Sequence, residues 1–439
     1  MIKKLAYSLG AVATALSYQS FSTYVIFFYV DVMKLNPGWA ALGMSVFGVW
    51  NAVNDPIAGF ISDRWRSPWG RRIPYIAAGA VPFGLLYLLL WTPPYDASRM
   101  MWLFAYFLLF ICLFDGIYTV VILNWASLFP EMYPGTDERA QVNSYRQSFG
   151  MLGLILGVAL PPVIYSTLGW PAMGCIFGAV ITVVTLITLL GSREKKEFFL
   201  DKPLKFRDAI VNTFSSRSFL IFVLSNLFIQ YVFTMILAMV PFYAKYVLDA
   251  GALATSLMLL VTFVTAMVMM FAWRPVAVRF GSRTGYMAAI VILGVSLVPF
   301  LFITNFISAI ISTALVGIGL AGMILISDIL ISDVIDEDEI RSGVRREGIF
   351  FGFNAFVTRF AIAMEAASLG MVFTFTRYNA YVHHQSASFL MGLRLLIAGL
   401  PIAALIIAFV IMKYYPLSGQ RLAEMKRELE ALHRLKAAK

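Results

Sequence analysis

Twelve apolar stretches, each long enough to cross a bilayer as a helix, follow one another from Leu5 to Tyr414 with short polar connections between them. The hydrocarbon core of a bilayer is about 30 Å thick, so roughly 20 residues of helix suffice for one crossing. The stretches run 5–32, 38–63, 72–93, 100–128, 141–167, 170–191, 218–247, 252–278, 284–304, 306–333, 349–376 and 387–414. In lipid every backbone N–H and C=O must find its partner within the segment, which leaves helices for runs of this kind. Of the 439 residues 60% are hydrophobic and only 13% charged, against about a quarter charged in a soluble domain. The expectation is an all-α integral membrane protein of twelve transmembrane helices, with no room for a separate soluble domain of ordinary size.

Charge gives the orientation. Counted from an inside amino terminus, only Lys34, Arg99, Lys245 and Arg377 fall in or at the edge of outer connections, and Arg146, Arg359 and Arg394 fall well inside spans; the rest of the 34 Lys and Arg lie at or beyond the inner ends of the spans. That asymmetry places both termini in the cytoplasm of a plasma or inner membrane protein. The net charge of +10 then meets anionic membrane lipid and calls for no nucleic acid. Met1 to Leu5 holds two lysines before a long apolar run without a small-residue cleavage site, so it reads as the start of a first membrane helix. Cys112 and Cys175 both sit in apolar runs and are expected as small buried hydrophobes, with no disulfide or cysteine metal site.

The longest charged connection, Arg193 to Arg217, divides the chain into six-helix halves, 1–192 and 218–415, joined by a loop at 193–217 and followed by a tail at 416–439. The halves echo each other. Thr136-Asp137-Glu138-Arg139 precedes Phe149-Gly150, and Asp338-Glu339-Ile340-Arg341 precedes Phe351-Gly352, with eleven residues from Arg to Gly in both. Matched loops at the same place in each half point to parallel repeats about an axis normal to the membrane. The tail, with Glu424, Arg427, Glu428 and Arg434, is expected as a solvated helix.

Asn51 to Gly59, followed by Asp63-Arg64 and by Arg66-Ser67-Pro68-Trp69-Gly70-Arg71-Arg72, resembles the glycoside-pentoside-hexuronide:cation symporters, the melibiose permease group of the major facilitator superfamily. So do Asp333-Val334-Ile335-Asp336, Arg345-Arg346-Glu347-Gly348 and Ser144-Tyr145-Arg146-Gln147. The resemblance runs over nearly the whole chain and implies the major facilitator fold and cation-coupled transport of a small-molecule substrate, with no cofactor beyond the coupling ion. The loop after the second span is intelligible on its own terms. Gly59 permits close packing, Asp63 ends a helix, and Arg64, Arg71 and Arg72 beside Gly70 can hold acids or helix carbonyl ends. We assign these residues, with Asp333, Asp336, Arg345 and Arg346, to gating.

Ionisable groups inside spans need a partner or a purpose. Asp55 stands one helical turn from Asn51 and beside Asn54, and Thr119 on the fourth span adds a hydroxyl. Such oxygens suit a hard monovalent cation, and a lone carboxylate can instead take a proton. The resemblance supports the set, because Asn54, Asp55 and Thr119 match the family's cation site in type. Asn51 departs from it: the melibiose permeases hold an aspartate there. With one carboxylate fewer, proton coupling through Asp55 is expected ahead of sodium. Asp115, Arg146, Arg359, Glu365 and Arg394 are further intramembrane charges, expected to pair across helices.

For the substrate, Tyr18, Gln19, Tyr24, Asn124, Trp125, Arg146, Asn354 and Arg359 are the candidate residues. The resemblance implies two aspartates and a tryptophan on the sugar, yet the matching places here are Ala15, Ile122 and Ala126. A sugar or related polar solute is the first expectation. A lysophospholipid-like amphipathic cargo on the same fold is the second, and a non-transporting sensor or scaffold the third. An enzyme fits poorly, since no HExxH, Gly-x-Ser-x-Gly or phosphate-binding loop occurs.

Overall fold

The computed structural model describes residues 1–64, 70–133, 136–194, 216–342, 347–382 and 384–437. Helices stand at all twelve expected places. Among the described residues ten are long and apolar enough to cross a membrane, from Ile73–Leu90 to Ala387–Met412, and they fall at the third to twelfth stretches, with Phe306–Arg341 running past the expected end at 333. The first two differ for physical reasons. The first is built from α1 (Ile2–Ser8), α2 (Gly10–Ile26) and a π-helical end at Phe27–Val32. The second, α3 (Pro37–Arg64), is continuous but carries the polar face of Asn51, Asn54 and Asp55.

Backbone contacts divide the chain into two compact units, the first made of Met1–Lys202, Val240–Leu260 and Ala366–Phe389, the second of Pro203–Met239, Val261–Glu365 and Leu390–Lys439. In the first, α4 (Ile73–Leu90), α5 (Met100–Met132), α6 (Thr136–Ala159), α7 (Pro161–Leu168) and α8 (Trp170–Gly191) join α1 to α3. Without a hydrophobic drive between helices in lipid, small residues set the packing. Gly153 and Gly157, one turn apart on α6, lie so close to α2 that a Cβ would stand 2.7 Å from the Val12 carbonyl oxygen and 2.8 Å from that of Leu16. An aromatic cluster closes one end, with Trp170 stacked on Tyr165 at 4.1 Å and on Trp91 at 5.3 Å. Beside it the buried Asp31 carboxylate accepts from Tyr246 and from Tyr378 at 2.6 Å, and pairs with Lys245.

The second unit holds most of α9 (Arg217–Tyr246) and α10 (Ala252–Phe280), then α11 (Ser282–Leu297), α12 (Phe306–Ser342), α13 (Glu347–Thr358), the start of α14 (Phe360–Phe375), α15 (Ala387–Arg394) and α16 (Leu400–Met412). Arg394 is spent on structure: it donates to the carbonyls of Leu301 and Ile303. The tail forms α17 (Gly419–Ala437), but it is not simply solvated. Met425 and Leu429 are buried, and Lys426 binds Asp333 at 2.7 Å and Asp336 at 2.8 Å. The cysteines also depart from expectation: Cys112 is half-buried and Cys175 exposed.

Candidate cation and solute sites

The i,i+4 spacing of Asn51 and Asp55 puts them on one face of α3, and the same spacing puts Asp115 and Thr119 on one face of α5. The two faces meet within the first unit. Thr119 donates its hydroxyl to Asp55 Oδ1 at 2.9 Å. Asn51 Nδ2 donates to Asp115 Oδ1 at 2.6 Å, and Asn54 Nδ2 donates to Asp115 Oδ2. Asn51, Asn54, Asp115 and Thr119 are all buried, and Asp55 is half-buried. Asn54 Oδ1 is buried with no hydrogen-bond partner, an acceptor whose desolvation a bound cation would offset.

The sequence quartet is therefore brought together, and a fifth residue joins it. Asp115, expected from the sequence to pair with another charge across helices, instead accepts from two amides. It stands beside Asn51 and Asn54, a second carboxylate next to the quartet.

The solute candidates divide. On the first unit, Tyr18 packs on Tyr118 at 5.3 Å and Gln19 is half-buried. Tyr24 is fully buried, donates to the Val158 carbonyl and serves as packing between α2 and α6. Trp125 is buried, stacks on Tyr7 at 5.5 Å and donates to the Tyr7 carbonyl at 3.0 Å. Asn124 donates to the Val120 carbonyl one turn back on its own helix, at 2.8 Å. The Arg146 guanidinium lies over both Trp125 and Phe129, at 4.6 and 4.5 Å, with its Nε unbonded. That arrangement holds a cation in apolar surroundings by the ring quadrupoles.

On the second unit, Asn226 Nδ2 donates to Asn354 Oδ1 at 2.9 Å, and Arg359 is half-buried. Both asparagines line a cavity of about 260 Å³ that also takes in Gln230 and Asp328. Asp328, overlooked in the sequence, lies within the Phe306–Arg341 span yet is open to that cavity. A carboxylate at such a depth costs about 2.5–3.5 kcal/mol on insertion scales, and periodicity alone gave no sign that it faced a cavity. Glu365 is buried with Thr234 as its hydrogen-bond partner.

The residues expected to act in gating take part in two local contacts. Gly70, at φ +113°, turns the chain into α4, and the backbone N–H groups of Arg71, Arg72 and Ile73 donate to the Glu194 carboxylate at 2.6, 2.7 and 2.7 Å. Glu194 was not anticipated; the clue was an acid one turn beyond the sixth apolar run. Asp333 accepts from Ser282 at 2.8 Å and, with Asp336, holds Lys426. A lysine of the tail helix is thus a partner of both acids, a pairing that the sequence pattern does not announce. Arg345 and Arg346 lie outside the described residues, as do the side chains of Gly59, Asp63 and Arg64.

Membrane-length helices that bury a cluster of carboxylate, amide and hydroxyl groups suit the passage of a charged or polar species across a bilayer. Residues 6–419 match the family described as MFS/sugar transport protein, and the chain belongs to that family. It is similar to the sodium-dependent lysophosphatidylcholine symporter 1-A of Danio rerio, 24% identical over 98% of this chain and 88% of that one. It is also similar to the isoprimeverose transporter of Lactiplantibacillus pentosus, 25% identical over 98% and 91%. A shorter match, 36% identical, covers 36% of this chain and 30% of an uncharacterised symporter of Synechocystis. Among solved structures a D-xylose-proton symporter shares the fold, with a TM-score of 0.67, 14% identity and coverage of 94% and 97%.

Proposed function

We propose that this chain is a cation-coupled symporter that carries a small polar solute of the sugar class across the cell membrane, with both termini cytoplasmic. The observation that carries the coupling is the meeting of Asp55, Asp115, Asn51, Asn54 and Thr119 on facing surfaces of α3 and α5. Two carboxylates offset the charge of a dehydrated sodium better than one, so sodium now ranks ahead of the proton. The isoprimeverose transporter among the relatives supports a sugar cargo. Arg146, Trp125, Tyr18, Gln19, Asn354 and Arg359 are the proposed solute residues, and the Gly70 turn and the acidic end of α12 the gating elements.

Uptake into proteoliposomes under imposed sodium or proton gradients, with sugar and lysolipid panels, tests this reading. Asp55→Asn should abolish gradient-driven accumulation and leave downhill exchange. Unchanged accumulation would reject the coupling role. Saturable lysolipid movement without sugar uptake would favour the second reading, an amphipathic cargo. That reading draws on the lysophosphatidylcholine symporter among the relatives and on the apolar Ala15, Ile122 and Ala126.

A further inference from the structure

The cavity in the second unit has a composition that the coupling site does not explain. Asn226 and Gln230 stand four residues apart on one face of α9, Asn354 comes from α13, and Asp328 comes from α12. The bond between Asn226 and Asn354 uses one amide hydrogen and one amide oxygen. The pair therefore keeps an oxygen and a nitrogen for another ligand. Among the described residues the Asp328 carboxylate has no hydrogen bond or ion pair, and no group lining the cavity is basic. Phe222, Phe233 and Phe351 supply apolar surface beside these polar groups.

We propose that Asp328, with Asn226, Gln230 and Asn354, forms the wall that binds the hydroxyl groups of a neutral sugar, making Asp328 a specificity-determining residue. The inference rests on the sugar-class reading above and adds where and by what the sugar is held. A hydroxyl both donates and accepts, and so does a carboxamide. A carboxylate accepts two hydroxyl hydrogens in charge-assisted bonds. An organic cation would satisfy Asp328 but leave the amide hydrogens without acceptors. A phosphate headgroup would meet a carboxylate and no lining cation. The cavity volume of about 260 Å³ suits a small ring, and the phenylalanines face its C–H surface.

The test uses the full chain in proteoliposomes, with methyl pentosides and methyl hexosides as probes and choline and lysophosphatidylcholine as the contrasting panel. Asp328→Asn and Asp328→Ala should each raise the half-saturating sugar concentration by roughly tenfold or more. The maximal rate and the half-saturating sodium concentration should stay within a few-fold of the native values. Gln230→Ala should shift the sugar term in the same direction, and sugar-induced thermal stabilisation in detergent should fall in parallel for all three variants. Sugar uptake indifferent to Asp328 would overturn this assignment and leave the proposed function standing. A native chain that moves none of the sugars would overturn the cargo class itself. Choline uptake that depends on Asp328, without sugar uptake, would make the cavity an organic-cation site and overturn the inference.

Discussion

Replacing Asp115 by asparagine tests the two-carboxylate site with least disturbance of shape. The aspartate accepts amide hydrogens from both Asn51 and Asn54. Asparagine offers one acceptor and one NH₂, so one of those two donors would face another donor. The larger loss is charge. At about 4 Å and an effective dielectric constant near 20, a unit charge contributes about 4 kcal/mol to a bound monovalent cation. Part of this is returned because the free site no longer holds two neighbouring acids, so a net loss of about 2–3 kcal/mol is a conservative figure. That corresponds to a roughly 30- to 150-fold higher half-saturating sodium concentration. The assay is sodium-dependent uptake in proteoliposomes, with thermal unfolding in detergent to confirm an intact fold. A sodium half-saturation within threefold of native in a folded Asp115→Asn chain would refute the role of this residue, and with it the ranking of sodium over the proton.

Other outcomes follow from the two local contacts. Glu194→Ala removes the acceptor for the N–H groups of Arg71, Arg72 and Ile73 and should lower stability by about 1–2 kcal/mol, as for loss of a strong helix cap; an unchanged thermal midpoint in detergent would count against it. Lys426→Ala should release α17, seen as faster trypsin cleavage after Arg421 or Arg427 with the rest of the chain intact. Burial disfavours the Lys426 ammonium, but the hydrogen bonds and charges of Asp333 and Asp336 outweigh it and hold its pKa above the ordinary 10.5. A raised value means that the contact contributes fully at neutral pH and is lost only as pH climbs past the ordinary lysine range and through the folded value. Protection of the tail from trypsin should therefore be constant between pH 6 and pH 9; a loss within that window would contradict the pairing.

The sequence by itself determined the membrane spans and grouped the core of the proposed cation site. A crossing needs an unbroken apolar run because lipid hydrates nothing, and that demand is written residue by residue. Asn51, Asn54 and Asp55 share a face because helical geometry is local, so their spacing was enough to group them. Tertiary structure decided the rest. Asp115 meets Asn51 and Asn54 because α5 presents its Asp115 and Thr119 face to α3, a register that no local pattern encodes. Asp328 opens on a cavity lined by neighbouring helices, and Tyr24 is spent on the Val158 carbonyl, Glu194 folds back on the Gly70 turn and Lys426 reaches Asp333, each through a partner distant in sequence. Which polar group meets which depends on how whole helices pack, and in lipid that is settled by small-residue contacts and a few hydrogen bonds spread over the bundle.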